Sequence, residues 1–415
     1  METETVDDAD LEEIVSQAAE IAIVAVSLIS VAVLLGKFAY YGIQKSGSSF
    51  VLPPAVFAGV LGLGIQMAGS YGKSVICNSV VASWEVGLDL LVNCSCAALF
   101  FSFDLINRPF KRIWHEIIIQ LMYGQIVSWG QYATATLVAI LFSSADPVKY
   151  TPYMGTIVAM GMEGGQKTAW NLYTKGTFTE VHVLFKDAYA YAMAAANIGL
   201  LTSVFVGIML LSWKKVWDSK TIDGTNHLTK SVKVHRKFKH EKAQKLVFES
   251  LAVHIGFISL SVGVSFAIWA GLTALEERVD TLKQYSAFSV IPIYPLCMLM
   301  STFFMKIFSR CSNIFMNLSS FQHIATAGME FIVAILISML EFPVQTDESW
   351  TSFDTEFYVI MLACILWNLF CLAVVSRRMC PNFWFSRGLV EFGQSTGTFW
   401  MGLSAMFHSS VVRAA

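Results

Sequence analysis

Two short polar segments of this chain share a six-residue pattern that could bind a solute. Both read Glu-x-Gly-Gln-x-Thr, and they occupy residues 163–168 and 391–396. Each combines a carboxylate, an amide and a hydroxyl with glycine, so each offers oxygen ligands, hydrogen-bond donors and a backbone that can leave a regular helix. The second copy follows the first by a little over half the chain. We therefore expect two related binding segments from an internal repeat.

The first copy lies in a glycine-rich stretch, 153–175, which we interpret as a broken, re-entrant membrane segment. Gly155, Gly161, Gly164 and Gly165 fall in this stretch, and each glycine costs a helix about 1 kcal/mol relative to alanine. Irregular backbone at membrane depth is confined to positions that are buried in protein or line a cavity. The alternative is an ordinary loop outside the membrane with its charges in solvent. The predicted substrate-binding residues here are Gly164, Gly165, Gln166, Lys167 and Thr168.

The second copy lies in a stretch, 385–405, that is richer in hydroxyl groups. We interpret it as a second re-entrant segment that enters from the opposite membrane face and meets the first near mid-membrane. Gly165 and Gly393 are expected to hold the two helix breaks, and Gln166 and Gln394 to face a common cavity. The alternative is a polar terminal tail. The predicted substrate-binding residues here are Gly393, Gln394, Ser395, Thr396 and Thr398.

Three carboxylates are candidates for ion coupling. Glu163 and Glu391 open the two motif copies, and Glu330 lies well inside a predicted membrane span. A charge at membrane depth is costly unless it is paired or faces water, which makes such residues candidates for function. The alternative for Glu330 is a buried, protonated carboxyl group bonded to a neighbouring helix.

The composition predicts an all-α polytopic membrane protein. The 415 residues are 55% hydrophobic and 14% charged, whereas soluble domains are about 25% charged. The sequence has no phosphate-binding loop and no Cys or His spacing typical of a metal site, which argues against an ATP-driven pump and predicts no cofactor or bound metal. The predicted spans are 21–40, 51–69, 87–103, 116–142, 188–212, 247–271, 287–306, 316–340 and 357–376.

The offset that separates the two motif copies, from position 163 to position 391, also relates the spans of the two halves. It places the first four spans on or beside four spans of the second half, and the fifth at 416–440, beyond Ala415. Five spans per repeat is an odd number, so the two repeats would have opposite orientations in the membrane. We therefore expect two inverted repeats of five spans, each with a re-entrant segment, and the last span missing from this chain.

Most Lys and Arg residues fall in loops on one side of the predicted topology. Basic loops mark the cytoplasmic side, which predicts an acidic extracellular tail over 1–20 and a first repeat over 21–212. A basic cytoplasmic linker then covers 213–246, and an incomplete second repeat covers 247–415. The linker is either a solvated connector or a contact for anionic membrane lipid. We expect the plasma membrane as the location, with the N-terminus outside.

The chain resembles the bacterial sodium/glutamate symporter family, whose two re-entrant motifs are of the type GGHGTA and GFGLGATPTA. Residues 164–169 match the first motif at four of six positions, 391–398 match the second more loosely, and 52–55 are similar to the proline-bearing start of span two. Gln166 and Lys167 stand where the family has His and Gly. The resemblance implies a homodimeric, elevator-type carrier that couples glutamate uptake to Na⁺.

We therefore expect a secondary active transporter, not an enzyme, for Na⁺-coupled symport of glutamate or a similar small organic anion. Two alternatives stay open. The intramembrane Glu and Lys residues could form the proton relay of a cation/proton antiporter. The incomplete second repeat would also suit a membrane receptor or scaffold that uses a transporter fold without transporting.

Overall fold

The computed structural model describes most of the chain outside its connecting segments. The described residues are 8–46, 53–71, 75–103, 110–143, 152–174, 188–222, 247–248, 251–279, 288, 291–311, 315–316, 318–340, 353–381 and 383–397.

The described chain is almost entirely helical. Its helices are α1 (Asp8–Lys45), α2 (Pro54–Tyr71), α3 (Val75–Ser102), α4 (Phe110–Ser143), α5 (Pro152–Thr174), α6 (Ala188–Ile222), α7 (Leu251–Arg278), α8 (Tyr294–Cys311), α9 (Leu318–Ser338), α10 (Thr355–Phe370), α11 (Ser376–Met379) and α12 (Trp384–Ser395). A π-helical turn, Cys371–Val375, joins α10 to α11. Two strands of two residues each, β1 (Val247–Phe248) and β2 (Phe315–Met316), pair in parallel.

The helices make this an integral, multi-pass membrane protein. Among the described residues, seven are long and apolar enough to cross a bilayer: α1, α3, α4, α6, α7, α9 and the α10–α11 continuation. Two shorter apolar helices, Pro54–Met67 and Tyr294–Phe308, lie within α2 and α8. Large apolar side chains such as Ile23, Phe38 and Leu141 are exposed, as expected where the solvent is lipid. Each predicted span overlaps one of these helices, so the all-helical, polytopic prediction is confirmed.

The chain divides into two compact units, and each takes segments from both sequence halves. The first unit contains residues 1–81, 114–213 and 333–415, and the second contains 82–113 and 214–332. The units therefore do not coincide with the predicted repeats, 21–212 and 247–415. The inverted relation between those repeats stays a prediction.

The core of the first unit is built around α5. Met154, Val158 and Met162 follow one another at four-residue spacing and are fully buried, so they form one helix face. Small residues bring backbones close together, because a Cβ atom on Gly155 would lie 2.6 Å from the Ala135 carbonyl group and one on Gly161 2.4 Å from the Ala192 carbonyl oxygen. This packing shows that the alternative of a solvent-exposed loop is wrong for the first half of the stretch.

Helix α12 belongs to the same unit and is held by one apolar face. Phe385, Leu389 and Phe392 are buried at helical spacing and pack with Leu372 of the π-helical turn. A Cβ atom on Gly388 would lie 3.1 Å from the Ser376 hydroxyl oxygen, so α12 also packs closely on α11. The predicted second segment is therefore a packed helix as far as Ser395, which contradicts the alternative of a polar tail over that part.

The second unit has an aromatic and polar core of its own. Phe101 stacks on Phe321 with ring centroids 4.9 Å apart, and the His254 ring meets Phe321 edge-on at 4.7 Å. The Ser261 and Ser301 hydroxyl groups are hydrogen-bonded at 2.9 Å between α7 and α8. This hydrogen bond satisfies polar groups that would otherwise be costly to bury inside an apolar bundle.

Some predicted boundaries differ from the helices. Helix α1 begins at Asp8, so the greater part of the predicted 1–20 tail is helical, and α6 continues to Ile222, which makes the first residues of the predicted linker helical. Residues 223–246 of that linker and residues 398–405 of the second predicted segment lie outside the described residues.

Candidate functional site

Helix α5 is broken at Gly165. This residue has φ 72° and ψ −178°, inside a helix that is otherwise continuous from Pro152 to Thr174. That backbone conformation is essentially restricted to glycine, because a side chain there would clash with the adjacent carbonyl group. The break separates a deeply packed half, 152–164, from a second half, 166–174. The prediction of a broken segment with its break at Gly165 is confirmed.

The second motif copy lies directly against this break. Helix α12 ends at Ser395, and the chain turns at Gly397, which has φ 91°. A Cβ atom on Gly165 would lie 3.6 Å from the Gly397 carbonyl oxygen, and one on Gly397 would lie 3.0 Å from the Met162 carbonyl oxygen. The predicted contact between the two segments is therefore confirmed.

The position of the second break differs from the prediction. Gly393 lies inside α12 and is buried, whereas the positive φ value falls at Gly397. The Thr396 hydroxyl group donates to the Phe392 carbonyl oxygen at 2.7 Å, which satisfies a carbonyl group near the helix end. The turn is needed only where the chain leaves the helix, and at that point a glycine is present. The expectation that Gly393 holds the break is wrong.

The break of α5 at Gly165 and the turn at Gly397 meet at one place, which we call the crossing. Helix α6 is the third element there. A Cβ atom on Gly199 would lie 3.0 Å from the Thr396 carbonyl oxygen and 3.5 Å from the Met162 Cα atom. The Gln166 amide donates a hydrogen bond to the Asn197 side-chain oxygen, and Asn197 is buried. Gln166 is therefore fixed to α6, whereas Gln394 is exposed. A cavity shared by the two glutamines stays a prediction.

The two motif carboxylates lie along one face of α4. The Gln120 amide donates to a Glu391 carboxylate oxygen at 3.0 Å. A Cβ atom on Gly124 would lie 2.8 Å from the other Glu391 carboxylate oxygen, so only glycine lets this carboxylate approach the helix so closely. The Ser128 hydroxyl group lies within hydrogen-bonding reach of the Glu163 carboxylate.

Glu163 and Glu391 lie near enough to each other for their charges to interact. Two like charges that are partly withdrawn from water favour a bound cation or proton. The α4 residues that contact them were not singled out from the sequence, although residues 120, 124 and 128 recur every four positions. Small and polar residues at that spacing inside an apolar span are a detectable signal of an inward-facing helix face.

The three described hydroxyl groups of the motifs donate to their own helices. Thr168 donates to the Gly164 carbonyl oxygen at 2.7 Å, and Ser395 donates to the Glu391 carbonyl oxygen at 2.9 Å. Thr396 binds the Phe392 carbonyl oxygen in the same way. Their hydrogen atoms are therefore used within the helix, and their oxygen lone pairs are the part that could still serve a ligand.

The remaining predicted residues are placed as follows. Gly164 is exposed beside the break, and Lys167 lies in the helical backbone of the second half of α5. Thr398 lies outside the described residues. Glu330 is buried, with 5% of its surface exposed, in the part of α9 that belongs to the second unit.

The crossing presents two kinds of backbone end. The half 152–164 and α12 both end there, and the last carbonyl groups of a helix carry partial negative charge. The half 166–174 begins there, and its first N–H groups carry partial positive charge. The described residues contain no group of three or more His, Cys, Asp or Glu side chains suited to a metal ion. The atoms here that could bind a cation are instead oxygen atoms. They belong to backbone carbonyl groups, two carboxylates, a hydroxyl group and an amide.

Comparisons with known protein families, with curated proteins and with solved structures found no match to this chain.

Proposed function

We propose that this chain is a secondary active transporter that carries a small organic anion, glutamate being the leading candidate, in symport with Na⁺. The observation that carries the proposal is the break of α5 at Gly165, packed against the end of α12 at Gly397. Interrupted helices inside a membrane protein expose backbone groups that bind substrate and coupling ion. Helix breaks are tolerated at that depth where they are buried in protein or line a cavity.

The two kinds of helix end support an anion together with a cation. The half 166–174 starts at the break, and the N–H groups of a helix start suit the carboxylate of a substrate. The ends of 152–164 and α12 offer carbonyl oxygens, and Glu163 and Glu391 add negative charge. An anion and a cation that neutralise each other in one place would be carried together more easily than either alone.

Radiolabelled uptake into proteoliposomes tests the proposal. We expect glutamate or another small dicarboxylate to accumulate when a Na⁺ gradient is imposed, and not when choline replaces Na⁺. Protein-free liposomes and liposomes with the Gly165→Leu variant are the controls, since leucine cannot adopt the Gly165 conformation without strain. If no organic anion in an amino-acid and dicarboxylate panel accumulates under either condition, the symport proposal fails.

A cation/proton antiporter is the second candidate, and the interaction between the charges of Glu163 and Glu391 favours it. Paired carboxylates of this kind can exchange a proton for a metal cation. Proteoliposomes loaded with a pH-sensitive dye separate the two functions. A Na⁺ gradient that drives proton movement without any organic anion would favour antiport. Binding of an organic anion without uptake would favour a receptor on this fold.

The membrane orientation is proposed from charge alone, with the N-terminus outside and the basic linker 213–246 in the cytoplasm of a plasma-membrane homodimer. A single cysteine at Ser231 tests it, because a membrane-impermeant thiol reagent should label it only after the cells are opened. Labelling in intact cells would show that the linker lies outside and that the proposed orientation is wrong.

A further inference from the structure

One face of α4 places polar groups against both motif carboxylates. Gln120, Gly124 and Ser128 are four residues apart, so they lie one above another on the helix surface. Gln120 donates to Glu391 at 3.0 Å, and Ser128 lies within hydrogen-bonding reach of Glu163. Between them, the missing side chain of Gly124 leaves room for the Glu391 carboxylate against the helix itself.

The same helix carries buried polar atoms that have no protein partner. The Gln120 side-chain oxygen is buried without a hydrogen bond. One turn beyond Ser128, Gln131 is wholly buried, and its side-chain oxygen accepts a hydrogen bond at 2.9 Å from Asn368 of α10. That bond leaves the Gln131 amide nitrogen and the Asn368 side-chain oxygen without partners.

These unmatched atoms indicate that water or an ion completes their hydrogen bonding or coordination. Flipping both amide groups of the Gln131–Asn368 pair, so that oxygen and nitrogen exchange places, would again leave one donor and one acceptor unmatched, because each amide has one of each. Buried polar atoms without a partner are costly, and native proteins satisfy nearly all of them with protein groups, water or ions. Gln131 lies between Ser128 and Tyr132, both of which interact with Glu163. The unmatched atoms and the carboxylates therefore belong to one polar region.

We propose that this face of α4 binds one Na⁺ ion between Glu163 and Glu391, with the Ser128 hydroxyl oxygen and the Gln120 amide oxygen as neutral ligands. The Gln131–Asn368 pair holds the adjoining water. Hard cations prefer oxygen ligands of these kinds. The role of this ion in coupling rests on the proposed symport. Its binding does not, because binding can be measured on the purified protein without transport.

Na⁺ binding to the purified full-length protein tests the site without transport. The midpoint of thermal unfolding is measured against NaCl concentration, with choline chloride holding the ionic strength constant, and ²²Na⁺ binding is measured by scintillation proximity. We expect Na⁺ to raise the midpoint in a saturable way, as a ligand of the folded state does. Equal effects of NaCl and choline chloride, or a larger saturable effect of CaCl₂ than of NaCl, would overturn the proposal.

Four variants and one matched control locate the ion. Glu163→Gln and Glu391→Gln should each weaken the apparent Na⁺ affinity at least tenfold, and Ser128→Ala and Gln120→Ala should weaken it a few-fold. Gln125→Ala is the control, because Gln125 lies on the exposed side of the same helix with its side chain bonded to Trp129. If the two Glu variants do not fold, the neutral pair decides the question. Wild-type Na⁺ affinity in Ser128→Ala and Gln120→Ala overturns the site.

Competition between protons and Na⁺ tests whether the ion binds at the two carboxylates. Lowering the pH from 8 to about 4, where an ordinary carboxylate takes up a proton, should weaken Na⁺ binding to the wild-type protein, because protons and Na⁺ would occupy the same carboxylates. Na⁺ binding that is independent of pH over this range would place the ion elsewhere. Saturable Na⁺ binding without uptake of any anion would leave this site in place and remove the symport. Uptake that is independent of Na⁺ would overturn the coupling role while leaving the carrier.

Discussion

The two motif copies have the same six-residue pattern and different backbones. In the first copy the chain breaks at the third motif residue, Gly165, and a second half-helix follows. In the second copy the helix passes through the corresponding Gly393 and turns only at Gly397, after the motif has ended. The second break therefore falls four residues later than the repeat would place it, which is about one helical turn.

Because of this shift, the two motif glutamates lie at different separations along the chain from their breaks. Glu163 is two residues from its break, whereas Glu391 is six residues from Gly397 and lies within a regular helix. Both carboxylates nevertheless interact with α4, and their charges interact with each other. The two copies therefore present the same chemical groups from different local backbones. The contacts with α4 differ as well, because the Glu391 carboxylate lies against Gly124 and the Glu163 carboxylate lies within reach of the Ser128 hydroxyl group.

The largest difference between the copies should appear on replacing each third-position glycine with alanine. At Gly165 the nearest non-neighbouring atom to a new Cβ lies 3.6 Å away, so the cost is backbone strain and not a clash. Such strain is worth about 1–3 kcal/mol, and Gly165→Ala should lower the free energy of unfolding by that amount and impair uptake.

Gly393→Ala is the matched substitution, because Gly393 already lies in a helix. Alanine is favoured over glycine in helix interiors by about 1 kcal/mol, and that gain should offset part of the cost of fitting a methyl group into a buried position. Thermal unfolding in detergent compares the two variants. Equal destabilisation would mean that the break at Gly165 has no special role.

An effect of the same order is expected at the α6 side of the crossing. A Cβ on Gly199 would lie 3.0 Å from the Thr396 carbonyl oxygen, so Gly199→Ala should push the second copy away from the first and destabilise the protein by about 1–3 kcal/mol. Gly207 is in the same helix and has no such neighbour within 4 Å, so Gly207→Ala should be neutral or slightly stabilising. Equal unfolding midpoints for the two variants would contradict a tight crossing at Gly199.

The sequence predicts the helices well because their signal is local. Apolar runs such as that in α6 are long enough to span hydrocarbon wherever they pack, and the four glycines of α5 indicate a weak helix before any contact is known. Repetition of the motif also predicts the contact between 163–168 and 391–396, since inverted repeats meet at their broken segments.

The parts that the sequence misses depend on contacts between distant residues. Gly393 and Gly397 have the same intrinsic freedom, and only the packing around the end of α12 selects the second for the turn. Likewise Gln166 binds Asn197, a residue 31 positions away in another helix. The stripe of Gln120, Gly124 and Ser128 was readable as a helix face, but its carboxylate partners become known only when α5 and α12 are packed beside it.

The smallest expected effect on folding, and the most specific on substrate, concerns the fifth motif position, which is Lys167 in the first copy and Ser395 in the second. Lys167 is four residues after Glu163, a spacing that pairs charges on a continuous helix. The break at Gly165 lies between the two residues and removes that regular relation. The prediction that follows is that Lys167 sets the substrate preference.

Lys167→Ser gives the first copy the residue of the second, and Lys167→Arg is the control that keeps the charge. A hydrogen bond to a charged group is worth about 1.5–3 kcal/mol, and about 1.4 kcal/mol corresponds to tenfold in affinity. Lys167→Ser should therefore raise the KM for the anion about tenfold or more and leave the unfolding midpoint nearly unchanged, while Lys167→Arg should keep most of the affinity. An unchanged KM and substrate preference in Lys167→Ser would exclude the substrate role. An unchanged KM with an altered Na⁺ dependence would instead assign Lys167 to the cation, and the fifth position would then distinguish the copies by charge balance and not by substrate recognition.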